Sequence, residues 1–124
     1  MKDRTLKPER SNNVYQSECA EYIVPVRDAL DVLYGRWKLP IIISLTFGTR
    51  RFKQIIEEIP GLTDKSLSKE LKELESNQLI TRKVHDSFPP RVDYTITEHG
   101  RSLEKVINEL RDWGKDHRKK IIGK

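Results

Sequence analysis

The stretch from Thr63 to Asn77 places Leu67, Leu71 and Leu74 at i, i+4 and i+7, a spacing that constrains it to an amphipathic helix with one buried stripe. At about 100° per residue, Lys65, Lys69 and Lys72 gather on the face opposite the leucines, with Ser68 beside them. Glu70, Glu73 and Glu75 fall on the flanks, outside the lysine arc. A helix that collects its cations in this way is shaped to meet a polyanion. Charged helix faces also arise simply as solvated surface, so this helix by itself favours neither reading.

Its neighbours decide. Upstream, Phe52, Ile55, Ile56 and Ile59 repeat at i, i+3, i+4 and i+7, predicting a helix of about two turns with Phe52 as a core anchor. Pro60 cannot continue that helix and Gly61 permits a sharp change of direction, so Pro60-Gly61-Leu62 is a tight connection. Thr63 is suited to cap the second helix, and Asp64 suits the positive end of its dipole. Downstream the period switches to two. Residues 79–85 and 91–96 are rich in β-branched and aromatic types, and Val92, Tyr94 and Ile96 alternate with Arg91, Asp93 and Thr95. Asp86-Ser87-Phe88-Pro89-Pro90 supplies the turn between two strands. A hairpin carrying Arg82, Lys83, His85 and Arg91 after two helices joined by a tight turn is a wing on a helix-turn-helix.

Charge alone does not make the case for nucleic acid. The 124-residue chain has a formal net charge of +5, but residues 50–96 carry nine Lys and Arg against eight Asp and Glu. A DNA argument therefore rests on where the charges point. The length allows one compact domain with a terminal extension. The longest apolar run, Leu39-Pro40-Ile41-Ile42-Ile43, is far too short to span a bilayer, and residues 1–16 lack the apolar core of a signal peptide. With a single cysteine, a reducing cytoplasm is the expected compartment.

Residues 1–18 read as a mobile arm, residues 19–98 as the winged helix-turn-helix domain and residues 99–124 as a dimerisation helix with a basic tail. Val26, Ala29, Leu30, Leu33 and Tyr34 predict a first helix opened by Pro25 and ended at Gly35. Trp37 to Phe47 reads as a buried second helix with Pro40 in its first turn and Gly48 as its stop. The last helix is expected to start at Thr97 and reach Asp116 or beyond, with Leu103, Val106, Ile107, Leu110 and Trp113 repeating at three and four. That stripe exceeds what a small winged domain can cover, so it is the expected interface of a two-fold dimer, shared with the N-terminal region.

The succession Pro25-Val26 with residues 29–33, Gly35-Arg36-Trp37, residues 47–52, Pro60-Gly61-Leu62-Thr63, residues 71–75, residues 89–94 and Thr97-Glu98-His99-Gly100 resembles the HxlR family of bacterial winged helix-turn-helix regulators. The likeness spans residues 24–114. It implies homodimers that bind operator DNA through the helix after Pro60-Gly61, with the wing reaching a neighbouring groove, and in some members a response to electrophiles or oxidants. Two positions depart from the family pattern. Its sensor cysteine commonly stands directly before the Pro-Val, where this chain has Val24, and Tyr34-Gly35-Arg36-Trp37 replaces a segment with two glycines and a lysine. The lone thiol, Cys19, lies five residues before Val24 in a segment expected to be loose; it is the candidate for redox chemistry, by pairing with its symmetry mate.

The expected fold is mainly α with a small β-hairpin wing, a winged helix-turn-helix that dimerises through its N-terminal region and C-terminal helix. The expected function is sequence-specific operator binding, with an inverted repeat as the target. Lys65 and Lys69 reach guanine O6 and N7 or phosphate, Ser66, Ser68 and Thr63 base edges or backbone, and Lys72 phosphate. Arg91 enters the minor groove, flanked by Lys83 and His85. Arg50 and Arg51 are candidate phosphate clamps, with Arg51 alternatively a structural ion-pair partner. His85, His99 and His117 have no ligand spacing, and no phosphate-cradling loop or nucleophile elbow occurs, so neither a metal, a cofactor nor an enzymatic activity is expected; a small-molecule or oxidant effector stays unidentified. The competing class is a winged-helix module that binds protein, which would dispense with the lysine arc and basic wing.

Overall fold

The computed structural model describes residues 12–123. They form two units, divided after Tyr34. The first holds one helix, α1 (Asn12–Leu33). It begins well before Pro25, which lies inside it and does not open it. Residues 12–18, assigned to the arm by sequence, are thus helical, and Cys19 sits in the helix, half-buried, and not in a loose segment. The rest of the expected arm, residues 1–11, lies outside the described residues. Ile23, Val24, Val26 and Leu30 of α1 are all at least half exposed.

The second unit contains α2 (Lys38–Thr46), α3 (Phe52–Glu58), α4 (Asp64–Ser76), the antiparallel pair β1 (Ile80–His85) and β2 (Arg91–Ile96), the single turn α5 (Glu98–Arg101) and α6 (Glu104–Ile122). Its core follows the predicted periodicities: Ile41, Ile42 and Leu45 of α2, Ile55 of α3 and Leu67, Leu71 and Leu74 of α4 close on Leu79, Ile80, Tyr94 and Ile96. Each such side chain contributes about 1.5 to 3 kcal/mol by leaving water. Phe52 is only half-buried and faces the wing loop; it is not the core anchor its spacing suggested.

Local chemistry fixes the reading end of the unit. Gly61 adopts φ +84°, and a Cβ there would meet the Trp37 ring at 3.5 Å, so the Pro60-Gly61 turn is pressed against the aromatic that precedes α2. Thr63 Oγ1 accepts from the Ser66 backbone N–H at 3.1 Å and caps α4. The wing register runs from Ile80 opposite Ile96 to His85 opposite Arg91. A further backbone pair, Arg50 N–H to Tyr94 O at 3.0 Å and Tyr94 N–H to Arg50 O at 2.8 Å, ties the segment before α3 to β2.

The terminal helix is broken, where sequence periodicity suggested continuity. Thr97 caps α5 through the Gly100 N–H, and Gly100 packs so tightly that an added Cβ would lie 2.3 Å from the Leu79 carbonyl oxygen. The chain turns at Ser102-Leu103 and restarts as α6, which continues through Ile121 and Ile122 to a left-handed Gly123. Helix α6 buries no residue. Leu103 and Ile107 are half-buried, while Val106, Leu110 and Trp113 are exposed.

Candidate nucleic-acid interface

Helix α4 carries the lysines as its sequence spacing requires. With the three leucines buried beneath, Lys65, Lys69, Lys72 and Ser68 are all exposed, and Ser66 is half-buried. Thr63 is exposed, its hydroxyl oxygen already engaged by the cap.

Of the acidic residues expected on the flanks of this helix, Glu75 is exposed, but Glu70 is buried and Glu73 half-buried. Lys38, at the start of α2 and only 2% exposed, donates to Glu70 at 2.5 Å and to Glu73 at 2.7 Å. Burial works against the charge on Lys38, but the two carboxylates outweigh it and raise its pKa above 10.5. The reciprocal hydrogen bond from Lys38 lowers the Glu73 carboxyl, with a smaller contribution from Lys69. Two of the helix's carboxylates are therefore drawn toward Lys38, away from the lysine face, and share its one positive charge. Nothing in the spacing of α4 reveals this partner, which lies 32 residues upstream of Glu70; the one signal is a lysine set between Trp37 and the apolar run from Leu39.

The same sorting recurs at the wing and before α3. Arg50 Nε donates to Glu58 at 2.6 Å, and the Ser44 hydroxyl donates to the other Glu58 oxygen at 2.6 Å. The Ser44 hydrogen bond is the larger cause of a lowered Glu58 pKa. Of the two arginines read as phosphate clamps, it is thus Arg50 that is the structural ion-pair partner. Arg51 is exposed; its backbone N–H is accepted by Gln54 Oε1 at 2.8 Å, and among the described residues no carboxylate pairs with its guanidinium.

On the hairpin, opposite residues share a face, so Lys83, His85, Arg91 and Asp93 lie together, with Arg82 on the other side beside Val84 and Val92. The Asp93 carboxylate faces two neighbours: His85 Nε2 is hydrogen-bonded to Oδ2 at 2.8 Å, and Arg91 Nε lies 3.5 Å from Oδ1. Arg91 is therefore the first rung of the ladder, partly held by Asp93, and does not form the wing tip. The tip is Phe88, fully exposed.

With this geometry in place, the sequence model of the HxlR-like helix-turn-helix family matches residues 32–121. The chain belongs to that family. Among its HxlR-like relatives, YtcD of Bacillus subtilis, described as an uncharacterized HTH-type transcriptional regulator, is 37% identical over 106 residues, 86% of this chain and 84% of its own. The HTH-type transcriptional regulator YodB of the same organism is 41% identical over 88 residues, 71% of this chain and 79% of its own. Among solved structures, the redox regulator HypR in its reduced form superposes with a TM-score of 0.75 at 33% identity, covering 81% of this chain and 99% of its own. Reduced YodB gives 0.68 at 36% identity, covering 80% and 93%. These relatives share the winged helix-turn-helix fold, and the family is one of transcriptional regulators. Among the described residues, no helix is long and apolar enough to cross a membrane.

Proposed function

We propose that this HxlR-family transcriptional regulator works as a homodimer that reads an inverted-repeat operator, with α4 in the major groove and the wing at the minor groove. One observation carries the reading: Lys65, Lys69 and Lys72 are exposed together while Lys38 holds Glu70 and Glu73 on the inner side of the same helix. A reading head with almost no net charge acquires a cationic face in this way. Lys65, Lys69, Ser66 and Ser68 reach base edges or phosphate, Thr63 and Lys72 phosphate, and Lys83, His85 and Arg91 the wing contacts. Arg51, not Arg50, is the clamp before α3.

The exposed Val106, Leu110 and Trp113 of α6, with the apolar positions of α1, support a two-fold contact between copies. Binding chromosomal duplex would place the protein's work in the cytoplasm. Cys19, the sole thiol, is the candidate target of an oxidant.

Selection of bound duplexes from a random-sequence pool tests the proposal. An inverted repeat is expected; recovery of no preferred duplex would defeat it in favour of a protein-binding role. Repeating the titration with oxidant on wild type and Cys19→Ser decides the thiol's part: a response that persists in the variant removes Cys19.

A further inference from the structure

Between the start of α3 and the wing loop lies an open groove of about 420 Å³. Its walls combine cations, Arg51, Lys53 and Arg91, with an apolar surface formed by Phe52, Phe88 and Pro90. The groove is a built feature. The Arg50–Tyr94 backbone pair fixes one wall against the other, and the Arg50–Glu58 ion pair braces α3 behind it. In the loop, the Ser87 backbone N–H donates to His85 O at 2.9 Å and the Ser87 hydroxyl to Pro89 O at 2.9 Å, while two prolines restrict the backbone that follows Phe88. A fully exposed phenylalanine carried on so constrained a loop buries nothing within this chain.

We propose that this groove seats one sugar-phosphate strand of the operator, with Lys53 and Arg51 on phosphates and Phe88 packed against deoxyribose or wedged at a base step in the minor groove. The inference rests on the DNA-binding reading and adds to it two residues, Lys53 and Phe88, that neither helical spacing nor charge pattern singled out. Charge complementarity selects the occupant. A nucleic-acid backbone alternates anionic phosphate with apolar sugar, which is the alternation the groove presents. One wall is the start of α3, the helix before α4, and in a helix-turn-helix that first helix crosses the duplex backbone. Apolar side chains at minor-groove contacts are a known means of unstacking and bending a duplex.

The test uses the full chain and the duplex recovered from the random pool, titrated at stepped salt. Arg51→Gln and Lys53→Gln are each expected to weaken binding and to reduce the slope of log affinity against log salt by about one, because each phosphate contact releases a counterion. Phe88→Ala is expected to weaken binding about tenfold with an unchanged slope, since an apolar contact releases none. Hydroxyl-radical footprints should lose protection of minor-groove sugars in the Phe88 variant, and Phe88→Tyr should retain it. Lys69→Ala separates the two levels of argument. If it weakens binding while the three groove variants match wild type in affinity, slope and footprint, the groove proposal fails and the reading helix stands. If wild type itself selects no duplex, the underlying reading fails. A Phe88→Ala protein that binds DNA normally but changes its sedimentation would hand the surface to a second copy and overturn the proposal.

Discussion

At the scale of single residues, the charges divide into those that hold the fold and those that face outward. Lys38 belongs to the first group, nearly sealed from water against Glu70 and Glu73. Lys38→Met should cost about 3 to 5 kcal/mol in denaturant unfolding, since it strands buried carboxylate without a partner. Combining it with Glu70→Gln should recover part of that loss; an additive double variant would deny the coupling. Lys69 belongs to the second group. Lys69→Ala should leave the unfolding midpoint nearly unchanged and weaken operator binding by about 1 to 3 kcal/mol if the side chain reads a base, measured by titration against matched and mismatched duplexes. The exposure of Lys69 was legible from its position opposite the leucines. The Arg50–Glu58 pair was not, because an arginine beside an arginine looks the same in sequence whichever of the two folds back.

At the scale of elements, α4 is the one whose form its own residues dictate most fully: a threonine cap, three leucines on one stripe and three lysines on the other. Leu71→Ala should destabilise the domain by about 2 to 5 kcal/mol, read from the denaturation midpoint, because α4 cannot collapse into the space without moving its lysines. Helices α1 and α6 are where local reading failed. Pro25 looked like a helix opener because its missing N–H costs least in a first turn, yet α1 runs through it. The heptad-like stripe after Thr97 looked continuous because periodicity is blind to close packing. Gly100 marks the break, pressed against the Leu79 carbonyl, and Gly100→Ala should lower the thermal midpoint markedly, as the Cβ has no room without shifting backbone. A variant that melts like wild type would show that α5 is free to move off the wing.

At the scale of the whole molecule, the proposed dimer is tested at the exposed stripe on α6. Trp113→Asp should sediment as a monomer and lose cooperative binding to an inverted repeat; an intact dimer would move the interface elsewhere. Stability should also follow pH in a defined way. The Glu58 and Glu73 carboxyls titrate below the ordinary 4.5 in the folded chain, so their contribution is complete above that value and is lost as pH falls through the lowered folded values. Lys38 runs the other way: its pKa is raised above 10.5, so its contribution holds below that value and is lost as pH rises through the raised one. Denaturation midpoints should therefore be flat through neutrality and fall on both sides, with Glu73→Gln softening the acid limb.

The amino-acid sequence by itself determined the succession from α2 to the second wing strand, with the leucine stripe and lysine arc of α4, because each depends on periodicity or turn chemistry within some fifteen neighbouring residues. The tertiary structure alone decided which polar and charged groups meet. Lys38 meets Glu70 and Glu73, Arg50 meets Glu58, and Asp93 meets His85 and Arg91. Most of these pairs join residues that only folding brings within a few ångströms of each other, and Coulomb attraction counts distance in space, not along the chain.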